Sequence, residues 1–412
     1  MQFLTTKLIS FEEAQQKIYE QIQPINDHIK ISLLKAAGYI TAKAVFSPLD
    51  LPLFDNSAMD GYAIQQIKNI KLNHLMQIIG IAYAGKPFEN KWPPDTVIRI
   101  MTGAPIPNKC DAVIMQENIQ KFGNKISINT PIYKGQNIRY KGEDIQIGNQ
   151  ILDSGIRLDS TELTLLASLG INKVSVIRKL RVAIFSTGNE LQILGKPLLK
   201  NQIYDINRFI ISLMLNKLNC KIIDLGIIRD HPNEIRYIFN KADRLADIVI
   251  CTGGISVGDT DFTRMILQEI GDITFYKLAI KPGKPFAFGR LKNSWFCSLP
   301  GNPVSATVTF YYLVQPILKH LAGNTKYTMP LRQRAITMNY LKKTPGRLDF
   351  QRGVYSQDEN GLLKVSSTGI QDSHIFRSLT MANCFIILER ERGNVNPGEW
   401  VEIEGFNRLL KG

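Results

Sequence analysis

Between residues 181 and 320 the sequence alternates short apolar runs with segments of helical period. Runs at 182–185, 221–228, 247–251 and 295–298 read as buried strands. Segments at 207–218, 234–245, 263–269 and 304–321 read as helices. Strands alternating with helices cover both faces of a parallel sheet, so this stretch is expected to be a doubly wound, mostly parallel α/β domain. Ligands of such sheets bind beyond the carboxyl ends of the strands, which fixes where chemistry is to be sought.

After the first strand comes Ser186-Thr187-Gly188-Asn189-Glu190, and after the second Arg229-Asp230. The third is followed by Thr252-Gly253-Gly254-Ile255-Ser256-Val257-Gly258-Asp259-Thr260-Asp261. Later come Lys277, Lys281-Pro282-Gly283-Lys284-Pro285 and Leu299-Pro300-Gly301-Asn302-Pro303. Small residues, carboxylates and lysines therefore meet at one sheet edge. Thr252, Gly253 and Gly254, with Ser256 nearby, leave the backbone open to a ligand, and their N–H groups suit a phosphate. The prolines of the lysine loop lock φ and hold Lys281 and Lys284 on a stiff frame suited to anions. Pro300, Gly301 and Asn302 precede a helix whose free N–H donors offer another anion site. Glu190, Asp230 and Asp261 are acids at an anion-binding edge. Carboxylates beside phosphates require a hard cation between them, which implies Mg²⁺. Taken singly, each segment is equally a turn, a helix start or a surface charge. No GxGxxG or GxxxxGK[ST] spacing occurs, so neither a dinucleotide site nor a Walker ATPase is supported.

Residues 51–140 hold short apolar runs at 76–81, 97–101, 112–116 and 125–128, broken by Gly, Pro and Asn, as in a small β-rich module. Before it, Ser10-Phe11-Glu12-Glu13 is a capping box opening a helix with Phe11, Ala14, Ile18 and Ile22 on one face. After it, a helix at 161–169 lies between Ser160 and Gly170, the expected N- and C-caps. Packing of these two helices would make the β module an insertion. From about 326 short β runs return, with a hairpin turn at Asn360-Gly361, as in a small barrel or sandwich. The expected divisions are 1–50 with 141–178, 51–140, 179–325 and 326–412. Within the β module, the run from Asp55 to Tyr62 aims Asn56 and Asp60 at a cleft or forms an Asx-rich turn. The run from Arg99 to Pro105 sets the Thr102 hydroxyl at a strand end, and Arg139-Tyr140-Lys141-Gly142-Glu143-Asp144 either binds an anion or pairs internally.

The 50 Lys and Arg exceed the 36 Asp and Glu by 14, which favours an anionic partner. The charge is dispersed and no nucleic-acid reading element accompanies it, so nucleic acid is not expected. Five Cys without CxxC spacing exclude a zinc ribbon or a thioredoxin motif. No run reaches 18 apolar residues and no signal peptide is seen, so no membrane association and a cytoplasmic location are expected.

Taken in order, Asp55 to Tyr62, Arg99 to Pro105, Lys141 to Ile145, Ser186 to Leu191, Tyr204 to Asn207, Thr252 to Asp261, Lys281 to Pro285 and Leu299 to Pro303 resemble the molybdopterin molybdenumtransferase family, which includes the C-terminal domain of gephyrin. The resemblance implies an elongated split domain, a lid-like β module, the α/β ligand domain and a C-terminal β-barrel. It implies a homodimer with a cleft built from both subunits, and a transient complex with the molybdopterin adenylyltransferase. Adenylylated molybdopterin and molybdate are the implied substrates, Mg²⁺ the helper and AMP the product. By the same resemblance Asp60 and Thr102 are lid residues at the cleft. Glu190, Asp230 and Asp261 form the acidic, metal-holding group. Lys277 and Lys281 lie near molybdate or pyrophosphate, and Arg352 and Ser373 near the cleft. The chain departs from the family with Asn189, where an Asp is usual, which removes a charge from the presumed metal site, and with Ile206, where Ser is common. A scaffold of the same fold that binds molybdopterin without turnover is the alternative; the retained acids and lysines argue against it.

Overall fold

The computed structural model describes residues 8–253, 262–328 and 330–411. The chain divides into two compact units, one of Met1–Ala42, Gly155–Asp159 and Lys173–Gly412, the other of Lys43–Ser154 and Ser160–Asn172.

The first unit contains β1 (Arg181–Thr187), α1 (Ile206–Lys217), β2 (Lys221–Ile228), α2 (Pro232–Leu245), β3 (Ile248–Thr252), α3 (Phe262–Ile270), β4 (Asp272–Lys277), β5 (Ile280–Lys281), β6 (Pro285–Arg290) and β7 (Trp295–Leu299). Six of these strands form one sheet in the order β2-β1-β3-β7-β6-β4. The first four are parallel; β6 runs antiparallel to β7, and β4 to β6. Successive β1 residues feed opposite cores. Val182 and Ile184 pack with Ile211 and Met214, and Ala183 and Phe185 with Phe239 and Phe296. That double burial is why the strand reads as an unbroken apolar run. The sheet is doubly wound, and the strand order reverses at β1, leaving a crevice at the carboxyl ends of β1 and β3.

The helix Phe11–Tyr19 starts as its sequence dictates: the Glu13 N–H donates to Ser10 Oγ at 3.0 Å, and Phe11, Ala14 and Ile18 are buried. The Ile9 N–H donates to Lys277 O and the Ala279 N–H to Ile9 O, while strand His28–Ser32 pairs with Lys173–Ile177. The helix expected over 304–321 is α4 (Pro303–Thr309), a π turn at Phe310–Val314, and α5 (Gln315–Leu321). Pro316 has no N–H to offer the Tyr312 carbonyl; the π turn lies just ahead of it, and Gln15 Nε2 donates to that carbonyl at 3.2 Å.

The C-terminal barrel closes β8 (Gln333–Thr337), β9 (Leu348–Gln357), β10 (Leu363–Ser367), β11 (Cys384–Leu388) and β12 (Trp400–Gly405) in the order β9-β10-β8-β12-β11, with β11 pairing back to β9. β5 adds to β9 in parallel, setting Lys281 opposite Asp349. Where the π turn meets the barrel, Glu404 is buried against the Tyr311 and Tyr312 phenols. Burial pushes its carboxyl up to about 7, against the pull of Arg332. A folded-state value above the unfolded one means stability that is complete below about pH 4.5 and lost as pH rises through about 7. Glu404→Gln is therefore expected to remove a fall of about 2–3 kcal/mol between pH 5 and 8. Melting curves of both proteins at the two pH values test this; parallel pH profiles refute it.

In the other unit, six strands pair in the order Ala112–Met115, Gly61–Ile64, Thr96–Ile100, Leu75–Ala82, Lys125–Ile128 and Ile119–Phe122. Among the described residues no helix is long and apolar enough to cross a membrane.

Candidate functional site

At the β1–β3 crevice the chain turns tightly enough to require glycine. A Cβ on Gly253, at φ +79°, would stand 2.6 Å from the Thr187 carbonyl oxygen, and one on Gly188 2.7 Å from the Glu190 carboxylate. Thr252 is buried, and its hydroxyl meets Ser186 Oγ at 2.7 Å. Ser186 donates on to Asp205, which caps α1 and pairs with Arg208. Thr252 thus ties β3 to β1 and α1 rather than standing open. Gly254, Ser256 and Asp261 lie outside the described residues.

Glu190 and Asp230 come together at this edge. Burial, then the Glu190 charge, raises the Asp230 carboxyl above the usual carboxylate range, against the pull of the Asn189 N–H. Asn189 completes a clasp, its Oδ1 accepting from the Asp230 N–H at 3.2 Å. The pair makes no ion pair with a described cation. Mutually repelling carboxylates with oxygen donors only are the donor set of a hard divalent cation, so the residues fit Mg²⁺. Two acids are present, and no cluster of three or more His, Cys, Asp or Glu occurs among the described residues.

A second cleft, of about 290 Å³, is lined by Lys281, Lys284, Asn302, Arg347, Ser373 and their neighbours. Asn302 Nδ2 donates to Ser373 Oγ at 2.9 Å, joining the segment before α4 to the barrel loop. Asn207, at the start of α1, donates to the Gly301 carbonyl at 2.6 Å, while Pro300 is buried behind it. Arg352 is fully buried: it donates to Ser378 Oγ at 3.0 Å and the Asp372 carbonyl at 3.2 Å. Burial holds it down at about 10. It fixes the loop that carries Ser373 and does not line the cleft. Nor does Lys277, whose carbonyl receives the Ile9 N–H. Arg347 is a cleft cation that the sequence reading missed; its only signal is a basic residue between the Pro345-Gly346 turn and a strand.

In the other unit the structure brings Asp60 and Thr102 together. Asp60 Oδ1 accepts from both the N–H and the hydroxyl of Thr102 at 2.7 Å. These two bonds, with the nearby Arg99 charge, hold the carboxyl below its ordinary range. The 139–144 segment pairs internally, with Lys141 on Asp50 at 3.4 Å and Glu143 accepting from the Tyr140 N–H.

Residues 9–170 match the family model of the MoeA N-terminal region (domain I and II), residues 183–320 a probable molybdopterin binding domain, and residues 334–406 the MoeA C-terminal region (domain IV). A molybdopterin molybdenumtransferase of Haemophilus influenzae is 47% identical over 98% of this chain and 100% of its own. One from a Nostoc species is 32% identical over 92% of this chain and 83% of its own. The crystal structure of the molybdopterin biosynthesis moeA protein from Pyrococcus horikoshii superposes with a TM-score of 0.82 at 29% identity, covering 97% of this chain and 100% of that one.

Proposed function

The chain belongs to the molybdopterin molybdenumtransferase family, enzymes that insert molybdenum in molybdenum cofactor biosynthesis, and from that premise we propose how its sites divide the work. The substrates are adenylylated molybdopterin and molybdate. Molybdate lies in the cleft of Lys281, Lys284, Arg347, Asn302 and Ser373, the observation that carries the reading: three cations outweigh the one carboxylate of the lining, Asp372, and the neutral side chains of Asn302, Ser305, Gln371 and Ser373 supply hydrogen bonds, a set that suits a tetrahedral oxyanion. The pyrophosphate lies along the carboxyl edge of the sheet, near Gly253 and Gly301. Glu190 and Asp230, with Asp261, hold Mg²⁺. That ion supplies charge neutralisation at the phosphoanhydride. The Asn189 side-chain oxygen accepts from the Asp230 N–H, a bond that an Asp carboxylate at this position would also accept, so the exchange removes a charge but keeps the acceptor. Asp60, held ionised by Thr102, is the acid of the β module. The two dithiolene thiols bond molybdenum, and their protons leave with one molybdate oxygen as water; a water molecule splits the phosphoanhydride, and AMP leaves.

A homodimer is part of this reading. α1 buries Ile211, Met214 and Leu215 on one face, yet Ile206, Phe209 and Leu213 on another are exposed, Phe209 by 52%. Leu199 and Ile203, just before α1 in the chain, are exposed as well. A helix apolar on two faces belongs inside an interface. We read the four-part division at about 50, 140, 178 and 325 as the architecture in which these roles are distributed.

Purified protein is expected to release AMP from adenylylated molybdopterin only with molybdate and Mg²⁺ present, and Asp261→Ala to lose that release. In the same preparation, sedimentation should give twice the 46.5 kDa chain mass. Substrate binding without molybdate-dependent AMP release would return the chain to the scaffold alternative.

A further inference from the structure

Lys281 has a partner that belongs to neither the acidic group nor the lysine loop. Across the β5–β9 pairing it stands opposite Asp349, and its Nζ lies 3.7 Å from Asp349 Oδ2. The two side chains differ sharply in exposure, 42% for the lysine and 3% for the aspartate. A buried carboxylate from the barrel thus faces a lysine that reaches into the cleft.

The carboxylate is itself held from behind. Gln351 Nε2 donates to Asp349 Oδ2 at 3.2 Å and to the Lys342 carbonyl at 3.0 Å. Lys343, 4% exposed, adds a positive field from a fixed position, its ammonium donating to the carbonyls of Thr344, Arg390 and Arg392. Burial raises the Asp349 carboxyl, and the Lys281 charge is the largest influence opposing it.

A free lysine side chain is spread over many rotamers. A fixed negative charge selects the rotamers that keep the ammonium on one wall. At 3.7 Å the contact is an ion pair longer than a directed hydrogen bond, so the ammonium's N–H donors stay open to an incoming oxyanion. We infer that Asp349 is a positioning residue: it holds Lys281 at the cleft wall for the molybdate oxyanion. This rests on the reading of the cleft as the molybdate site.

The test is a double-mutant cycle of Asp349→Asn and Lys281→Ala, with molybdate varied in the AMP-release assay. Asp349→Asn is expected to raise the KM for molybdate about tenfold with kcat changed less than about threefold. In the Lys281→Ala background the same change should add nothing, because no lysine remains to be placed. An equal KM increase in both backgrounds would show a merely structural role and overturn the inference. So would a silent Asp349→Asn beside a damaging Lys281→Ala. A silent Lys281→Ala would instead remove the cleft assignment, and the positioning role with it. Should Asp349→Asn not fold, Asp349→Glu replaces it. It keeps the charge but moves it one methylene, so a KM shift that vanishes with Lys281→Ala supports the role, and one that persists refutes it.

Discussion

Replacing Glu190 by Gln and Asp230 by Asn together is expected to lower kcat about 10²–10³-fold, the scale lost when stabilisation of developing charge is removed. The fold should not suffer. Asp230 is raised by burial and by the Glu190 charge, so the pair opposes folding when no cation is bound. Neutralising it should leave the melting temperature of metal-free protein unchanged or higher. It should also abolish the rise in melting temperature on adding Mg²⁺, since only a ligand of the native state stabilises it. Activity falling while stability holds is the pattern of a functional pair. Turnover that survives the double change, or a Mg²⁺-induced shift that persists in it, would remove these acids from the metal site.

The second large effect is expected at Gly61. This residue lies between two strands, opposite Ile100 on one side and Met115 on the other. A Cβ there would stand 1.9 Å from the Ile114 carbonyl oxygen and 2.8 Å from its carbon. Both are backbone atoms, so no side chain can yield, and the strands must part. Gly61→Ala should cost about 3 kcal/mol or more, at the upper end of overpacking effects. It should also loosen the neighbouring Asp60–Thr102 contact. Gly393→Ala is the control, because nothing lies within 4 Å of its added carbon. Hydrogen exchange of strand Thr96–Ile100 measures the difference; equal protection in the two variants would show that the strands accommodate the methyl group.

What could be read in advance follows the range of the forces involved. Strand β1 and helix α2 announce themselves because burial repeats along a few neighbouring residues. The Ser10 cap is more local still. Asp60 and Thr102 were each legible as polar residues at turns, and the structure adds their contact. Arg352 shows where such reading ends: a basic residue near a cleft motif is buried, because strand β9 turns its side chain inward beneath the 371–373 loop. Arg347 and Asp349 were invisible for the same reason. Their position at Lys281 depends on one register, β5 against β9, between segments far apart in the chain. The π turn at Phe310–Val314 was hidden because its 3.6-residue pattern is that of an ordinary helix; only Pro316 marks it.

The bonds of Ile9 also order events during synthesis. Its partners Lys277 and Ala279 are made long after it, at about 5–20 residues per second on a ribosome. Strand His28–Ser32 likewise waits for Lys173–Ile177. By the time Asn172 has been added, every residue of the unit that begins at Lys43 exists, before the first residue of β1. Throughout that interval the Phe11, Ala14 and Ile18 face of the first helix has no Phe350 or Tyr312 to cover it. The nascent chain therefore carries an uncovered apolar stripe for roughly ten seconds or more, the kind of surface on which chaperones act.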